Sequence, residues 1–196
     1  ETAVNEVNAK MGLICATPTA GSAGVVSGVL LAVIDRLKLT HQQQLDFLFT
    51  AGAFGLVIAN NASISGAEGG CQAEVGSASA MASAALVAAS GGTPDQSAQA
   101  VAITIKNMMG LICDPVAGLV EVPCVKRNAL GSSQAFISAD MALAGIRSVI
   151  PPDEVIHAMY QVGRQMPQIF KETAEGGLAV TPTAQRLSKE ILEKQK

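Results

Sequence analysis

Apolar residues recur along this chain at helical spacing, and short clusters of Gly, Pro, Ser and Asn cut the pattern into segments. Val4, Val7 and Met11 share one side of a predicted helix over residues 3–11. A nearly unbroken apolar run over 25–34 predicts a second helix, with an N-cap at Ser22 and an end near Leu37. Thr40 and Gln43 make a capping box for a third helix, residues 41–60. Gly52 and Gly55 inside it predict the close passage of another backbone, since each costs about 1 kcal/mol against Ala there. Residues 61–70 carry no period and read as a loop. A helix of small residues follows from Cys71 to about Ser90, closed by Gly91 and Gly92. Thr93, Pro94 and Gln96 start the next, which ends near Gly110. Residues 111–123 are irregular again, with Pro115, Gly118 and Pro123. The pattern then predicts a helix over 124–149, with Phe136, Met141, Leu143 and Ile146 as core, and another over 152–166. Gly176 and Gly177 mark a turn, and a charged helix runs from Pro182 to residue 196.

No strand-like alternation of useful length interrupts this series, so the predicted fold is all-α: a compact domain of roughly eight helices with long functional loops. No internal repeat is present. The 196 residues fit a single domain, residues 1–196. The first residue is Glu1 rather than Met, so the sequence is expected to be a fragment of a longer chain.

Composition sharpens this picture. Residues of the apolar class make up 49% of the chain while aromatics are 3%, so helices are expected to approach closely over small side chains. A net charge of −3 with no basic stripe excludes a nucleic-acid role. The most apolar stretches, 25–34 and 47–59, fall short of the roughly 20 residues of a spanning helix, so no membrane role is expected. Four cysteines in a chain of this length, with no secretory signal, point to a reducing, cytoplasmic compartment with thiols free or metal-bound.

Three of those cysteines, Cys71, Cys113 and Cys124, lie beside Gly or Pro in loops or at helix ends. Cys15, under an Ala16-Thr17-Pro18 turn, reads as core. The spacing forms no CxxC knuckle, and buried free thiols are ordinary core residues, so packing alone is one explanation. Metal ligation is the other. A structural zinc site takes four ligands, and a [4Fe–4S] cluster takes one cysteine per iron. Three thiols therefore leave a position open, where an iron can act as a Lewis acid on a hydroxyl or carboxylate. Two further readings stand beside it: a non-catalytic all-α interaction domain, and a hydrolase with zinc on the three thiolates.

Other candidates are weaker. Thr19, Ala20, Gly21 and Ser22 form a turn before a helix start, either an anion seat or an ordinary cap. Lys126 and Arg127 follow Cys124 and either orient substrate or form a solvated first turn. Glu68 and Asp114 are weaker still. His41 and His157 fall at helical positions that suggest solvent rather than catalysis.

The runs Thr19-Ala20-Gly21-Ser22, Asn61-Ala62-Ser63-Ile64-Ser65-Gly66-Ala67-Glu68, Cys71-Gln72-Ala73-Glu74-Val75-Gly76, Cys113-Asp114-Pro115-Val116-Ala117-Gly118 and Pro123-Cys124-Val125-Lys126-Arg127-Asn128 resemble the iron–sulfur L-serine dehydratases. The likeness is to the catalytic alpha chain and extends from Val4 to Val180. It implies a [4Fe–4S] enzyme, independent of pyridoxal phosphate, that converts L-serine to pyruvate and ammonia. It implies cluster ligation by Cys71, Cys113 and Cys124, and a substrate pocket lined by Thr19, Ala20, Gly21, Ser22, Asn61, Ser63 and Ser65. Single-chain members end in a cysteine that reaches the cluster, whereas this sequence ends Glu193-Lys194-Gln195-Lys196. The family's Ser-His-Thr motif, carried by a small domain or beta chain, is also missing here. The resemblance thus implies a beta chain or small domain as partner, a catalytic base located on it, and a homo- or hetero-oligomer.

Overall fold

The computed structural model describes residues 1–194. Nine α-helices follow one another, with no strand among the described residues: α1 (Thr2–Ala9), α2 (Ala23–Leu37), α3 (His41–Asn61), α4 (Gly66–Gly69), α5 (Cys71–Ala89), α6 (Pro94–Met108), α7 (Cys124–Leu143), α8 (Pro152–Gln165) and α9 (Pro182–Lys194). The expected all-α architecture is what the chain adopts. Among the described residues, no helix is long and apolar enough to cross a membrane.

The organising element is α5. Every residue from 71 to 87 is buried, so the helix has no solvent face and needs no amphipathic period. Helices α2, α3, α6, α7 and α8 pack around it. Its Ala, Ser and Gly residues let these neighbours come close: a Cβ on Gly131 of α7 would stand 2.5 Å from Ser79 Oγ and 2.9 Å from Val75 Cγ1. One apolar cluster joins Val25, Val29 and Val33 of α2 to Phe47, Val75, Met81 and Ala135. A second joins Ile58, Ala80, Ala84, Val101 and Ile105 to Val155, Ile156 and Met159 of α8.

The caps at Thr40 and Thr93 form as their sequences predict, each with the reciprocal glutamine bond, from Gln43 and Gln96. Elsewhere the structure corrects the pattern. Helix α7 stops at Leu143 rather than 149, because Gly145 adopts φ +86°. The amides of Gly145 and Ile146 then fold back onto Ala142 and Met141, which closes the helix and leaves Ile146 half exposed instead of in the core. In α1 the buried residue is Asn5, whereas Val7 and Met11 face solvent. Cys15 is exposed, not core. Gly52 faces open space, whereas Gly55 lies against Met81 of α5, the helix that packs closely on α3. The 61–70 stretch holds the single turn of α4. The predicted final helix extends to 196, and its last two residues lie outside the described residues.

Candidate metal centre

Three separate stretches deliver sulfur to one place. Cys71 and Cys124 are the first residues of α5 and α7, and Cys113 lies in the irregular stretch between α6 and α7. All three are buried. Ligand atoms of Cys71, Cys113 and Glu74 lie within 4.8 Å of one another. Cys124 stands outside that tightest group, yet near enough that the charge of Cys71 raises its own titration.

The thiols are not equivalent. Cys71 titrates below the ordinary thiol range because it accepts from the Cys113 thiol, with Arg127 adding to the effect and burial opposing it. Cys113 is held well above that range, as the donor of that bond and by burial. Burial, then the neighbouring charge of Cys71, pushes Cys124 up to about 12. Cys71 is thus the most acidic of the three thiols, seated at the N-terminus of a long helix whose dipole favours negative charge.

Arg127 is the cation of the site. Its Nη1 contacts Asp114 Oδ1 at 2.6 Å, the Ile112 carbonyl at 2.9 Å and Cys71 Sγ at 3.9 Å. Burial works against its charge, but Cys71 and Asp114 outweigh that and raise its affinity for the proton. Asp114 is itself buried and also accepts from the Leu178 amide at 2.7 Å. The 170–178 segment is therefore part of the site. Its Phe170 carbonyl accepts from the Cys113 amide at 2.9 Å, and the Glu172 amide donates to the Cys113 carbonyl at 3.1 Å, closing a parallel bridge at Lys171.

The turn of residues 19–22 forms the opposite wall. Thr19 Oγ1 donates to Glu74 Oε1 and lies 3.0 Å from Ser22 Oγ. Ser22 caps α2 by position only, since its hydroxyl bonds within the turn rather than to the helix. The amides of Ala20, Gly21 and Ser22 donate to nothing among the described residues. Asn128, one turn after Cys124, donates to the carbonyls of Gly21 (2.8 Å) and Cys124 (2.9 Å), tying turn to thiol. Burial holds the Glu74 carboxyl above its ordinary range, against the Thr19 bond, and the charge of Glu172 adds to the rise.

The remaining sequence candidates scatter. Asn61 is exposed and donates back to Val57. Ser63 bonds Glu68 and the Ser65 amide, beside a cleft of about 400 Å³ that Arg164 and Lys171 also line. Lys126 is exposed and lines a surface cleft with Glu6 and Lys10. His41 and His157 are exposed, as expected. Sequence reasoning overlooked Glu74, Asn128 and Glu172. The first two carried a signal, being three and four residues after Cys71 and Cys124 on helices that those cysteines begin. Glu172 carried none, because it arrives by a long-range bridge.

The donor set fits a thiophilic metal: three sulfurs, a compensating guanidinium and a backbone cradle at Gly66, where a Cβ would meet Cys113 Sγ at 3.3 Å. Fold and site together define an all-α protein with a buried cysteine-rich cluster whose donor atoms suit a metal. The chain belongs to the serine dehydratase alpha chain family, whose model matches residues 1–179. It is 70% identical over 189 residues to the probable L-serine dehydratase alpha chain of Bacillus subtilis, covering 96% of this chain and 63% of that protein. The corresponding protein of Latilactobacillus sakei is 60% identical over 96% of this chain and 90% of its own length. The L-serine dehydratase alpha chain of Peptoniphilus asaccharolyticus is 50% identical, over 96% of this chain and 65% of its length. The chain therefore spans somewhat under two thirds of the length of two of these relatives.

Proposed function

We propose that this chain is the catalytic part of a [4Fe–4S]-dependent L-serine ammonia-lyase, which dehydrates L-serine to 2-aminoacrylate, hydrolysed in turn to pyruvate and ammonium. The observation that carries this reading is the convergence of three buried cysteines beside a turn whose amide groups have no acceptor. Cys71, Cys113 and Cys124 would hold the cluster. When bound, it supplies Lewis acidity at an iron without a cysteine ligand, suited to the departure of hydroxide.

The chain's own residues account for the rest of the site. The free amides of residues 20–22 and the N-terminus of α2 receive the substrate carboxylate, for which no side-chain cation is required. Thr19 and Ser22 fix that turn, and Asn128 holds it at a set distance from Cys124. Arg127, braced by Asp114, offsets the negative charge of the thiolates. Asn61 ends α3, and Ser63 and Ser65 follow before α4; of these, Ser63 lines the cleft shared with Arg164 and Lys171, and none takes a direct role at the thiols. The α-proton leaves to a base supplied by a beta chain or small domain, since both histidines here are exposed on helices remote in role from the thiols. This reading requires a reducing compartment such as the cytoplasm, where the thiols stay reduced.

Anaerobic purification with iron, zinc and acid-labile sulfide analysis, followed by a pyruvate assay on L-serine with and without the partner chain, tests this. Iron and sulfide in equal amounts, with pyruvate formed in the complex, is the expected result. Zinc without sulfide would favour instead a mononuclear site on Cys71, Glu74 and Cys113, the three groups that stand closest.

A further inference from the structure

Two carboxylates, Glu74 and the solvent-open Glu172, border the centre, and no cation among the described residues pairs with either. Glu74 is 9% exposed. Its Oε1 accepts from Thr19, while its Oε2 has no hydrogen-bond partner among the described residues. Glu172 is exposed and makes no side-chain hydrogen bond to another of the described residues. Both point at one spot: from the Cβ position of Gly66, Glu172 Oε2 and Glu74 Oε2 are each 3.1 Å away and Cys113 Sγ is 3.3 Å away. The two free oxygens are thus separated by at most twice that distance. Arg127, the cation of the site, is already engaged by Asp114, Ile112 and Cys71.

Glu172 reaches this position from a left-handed backbone, φ +66°, fixed by its amide bond to Cys113. A free oxygen on the largely buried Glu74 and one on the solvent-facing Glu172 opposite it describe an open-mouthed seat for a small cation carrying several N–H groups. We propose that Glu172, with the free oxygen of Glu74 behind it, receives the α-ammonium of the amino-acid substrate. This rests on the function proposed above and extends it. The 19–22 amides take one end of the zwitterion and Glu172 takes the other, so the hydroxymethyl group is directed towards the thiols. Glu172 is then the residue that separates amino acids from their deaminated analogues, because a neutral or absent group at Cα leaves two acceptors unpaired.

The test uses the cluster-loaded complex with its partner chain. Binding of L-serine and of 3-hydroxypropionate, which keeps the carboxylate and hydroxyl but lacks the ammonium, is measured by calorimetry for wild type, Glu172→Gln and Glu172→Asp. Iron and sulfide content are checked in each. A charge-assisted bond sets the expected loss for Glu172→Gln at about 10- to 100-fold in L-serine affinity, with 3-hydroxypropionate unchanged. KM should rise by a similar factor. Glu172→Asp, which keeps the charge and tolerates a left-handed backbone, should recover part of the loss. Equal weakening of both ligands, or no change in either, overturns the assignment. Wild-type complex that makes no pyruvate from L-serine overturns the underlying function instead, and wild-type turnover with an unaltered Glu172→Gln overturns only this inference.

Discussion

The two ends of α5 are made of similar small residues and treat polarity in opposite ways. Towards its C-terminal half every serine has a partner: Ser83 accepts from Thr104 at 3.0 Å and donates to Ala80, Ser79 donates to Val75, and Ser97 of α6 caps the exchange on Ala84. At the N-terminal end the ligand atoms of Cys71, Cys113 and Glu74 crowd within 4.8 Å of one another, and Glu74 keeps one oxygen free. Ser77 sits between them without a partner among the described residues. One end is closed on itself and serves packing. The other retains unpaired polar groups, which an autonomous core does not tolerate and a ligand site requires.

The largest effect should come from the open end. Cys113→Ser should lower metal affinity by more than about 100-fold, beyond what loss of an outer partner costs, with the metal-free chain melting within about 4 °C of wild type. Iron content and a thermal scan check both halves of that statement. A subtler probe of the same end is Gly21→Ala, whose Cβ would fall 2.5 Å from Glu74 Oε1. Displacing that carboxylate should reduce turnover about 10-fold or more while denaturant midpoints stay in place.

The closed end should respond only in stability. Gly131→Ala, pressed against Ser79 and Val75, should cost about 1–3 kcal/mol in urea unfolding and leave metal stoichiometry intact. Loss of bound metal in that variant would break the distinction between the two ends. Thr104→Val removes a hydroxyl bonded to Ser83 and to the Ala100 carbonyl at 2.8 Å, and should cost about 1 kcal/mol. The smallest effect belongs to the surface pair of Arg147 and Asp95. Arg147 holds the Asp95 carboxyl below its ordinary range, so the pair stabilises the fold above the unfolded-state value and stops doing so as pH falls through the folded one. Asp95→Asn should therefore lower the melting temperature slightly at neutral pH and leave it unchanged below the folded-state value, which flattens the acid limb of the profile.

Local signals in the sequence carried most of the helices. Capping boxes, Pro94 and Pro152 at helix starts and the small-residue run of α5 each act over a few residues, and each formed as expected. The end of α7 was misjudged because apolar residues continue past Gly145, and only the backbone reversal there shows that the helix has stopped. Cys15 followed the general habit of thiols to be buried, but no element covers its turn. In the candidate site, the three cysteines and the 19–22 turn stood out because they lie in sequence runs of recognisable type. Glu172 and the bracing of Arg127 by Asp114 did not, since both depend on which distant segments meet.

The bridge between Cys113 and the 170–172 segment has a bearing on how the molecule is born. When a ribosome has released residue 124, all three thiols are already outside, but the strap that fixes Cys113 and the Leu178 amide that steadies Asp114 are still untranslated. A nascent chain at that stage presents reactive sulfur without its cage. On the function proposed above, assembly of the centre would therefore follow synthesis of residues 170–178.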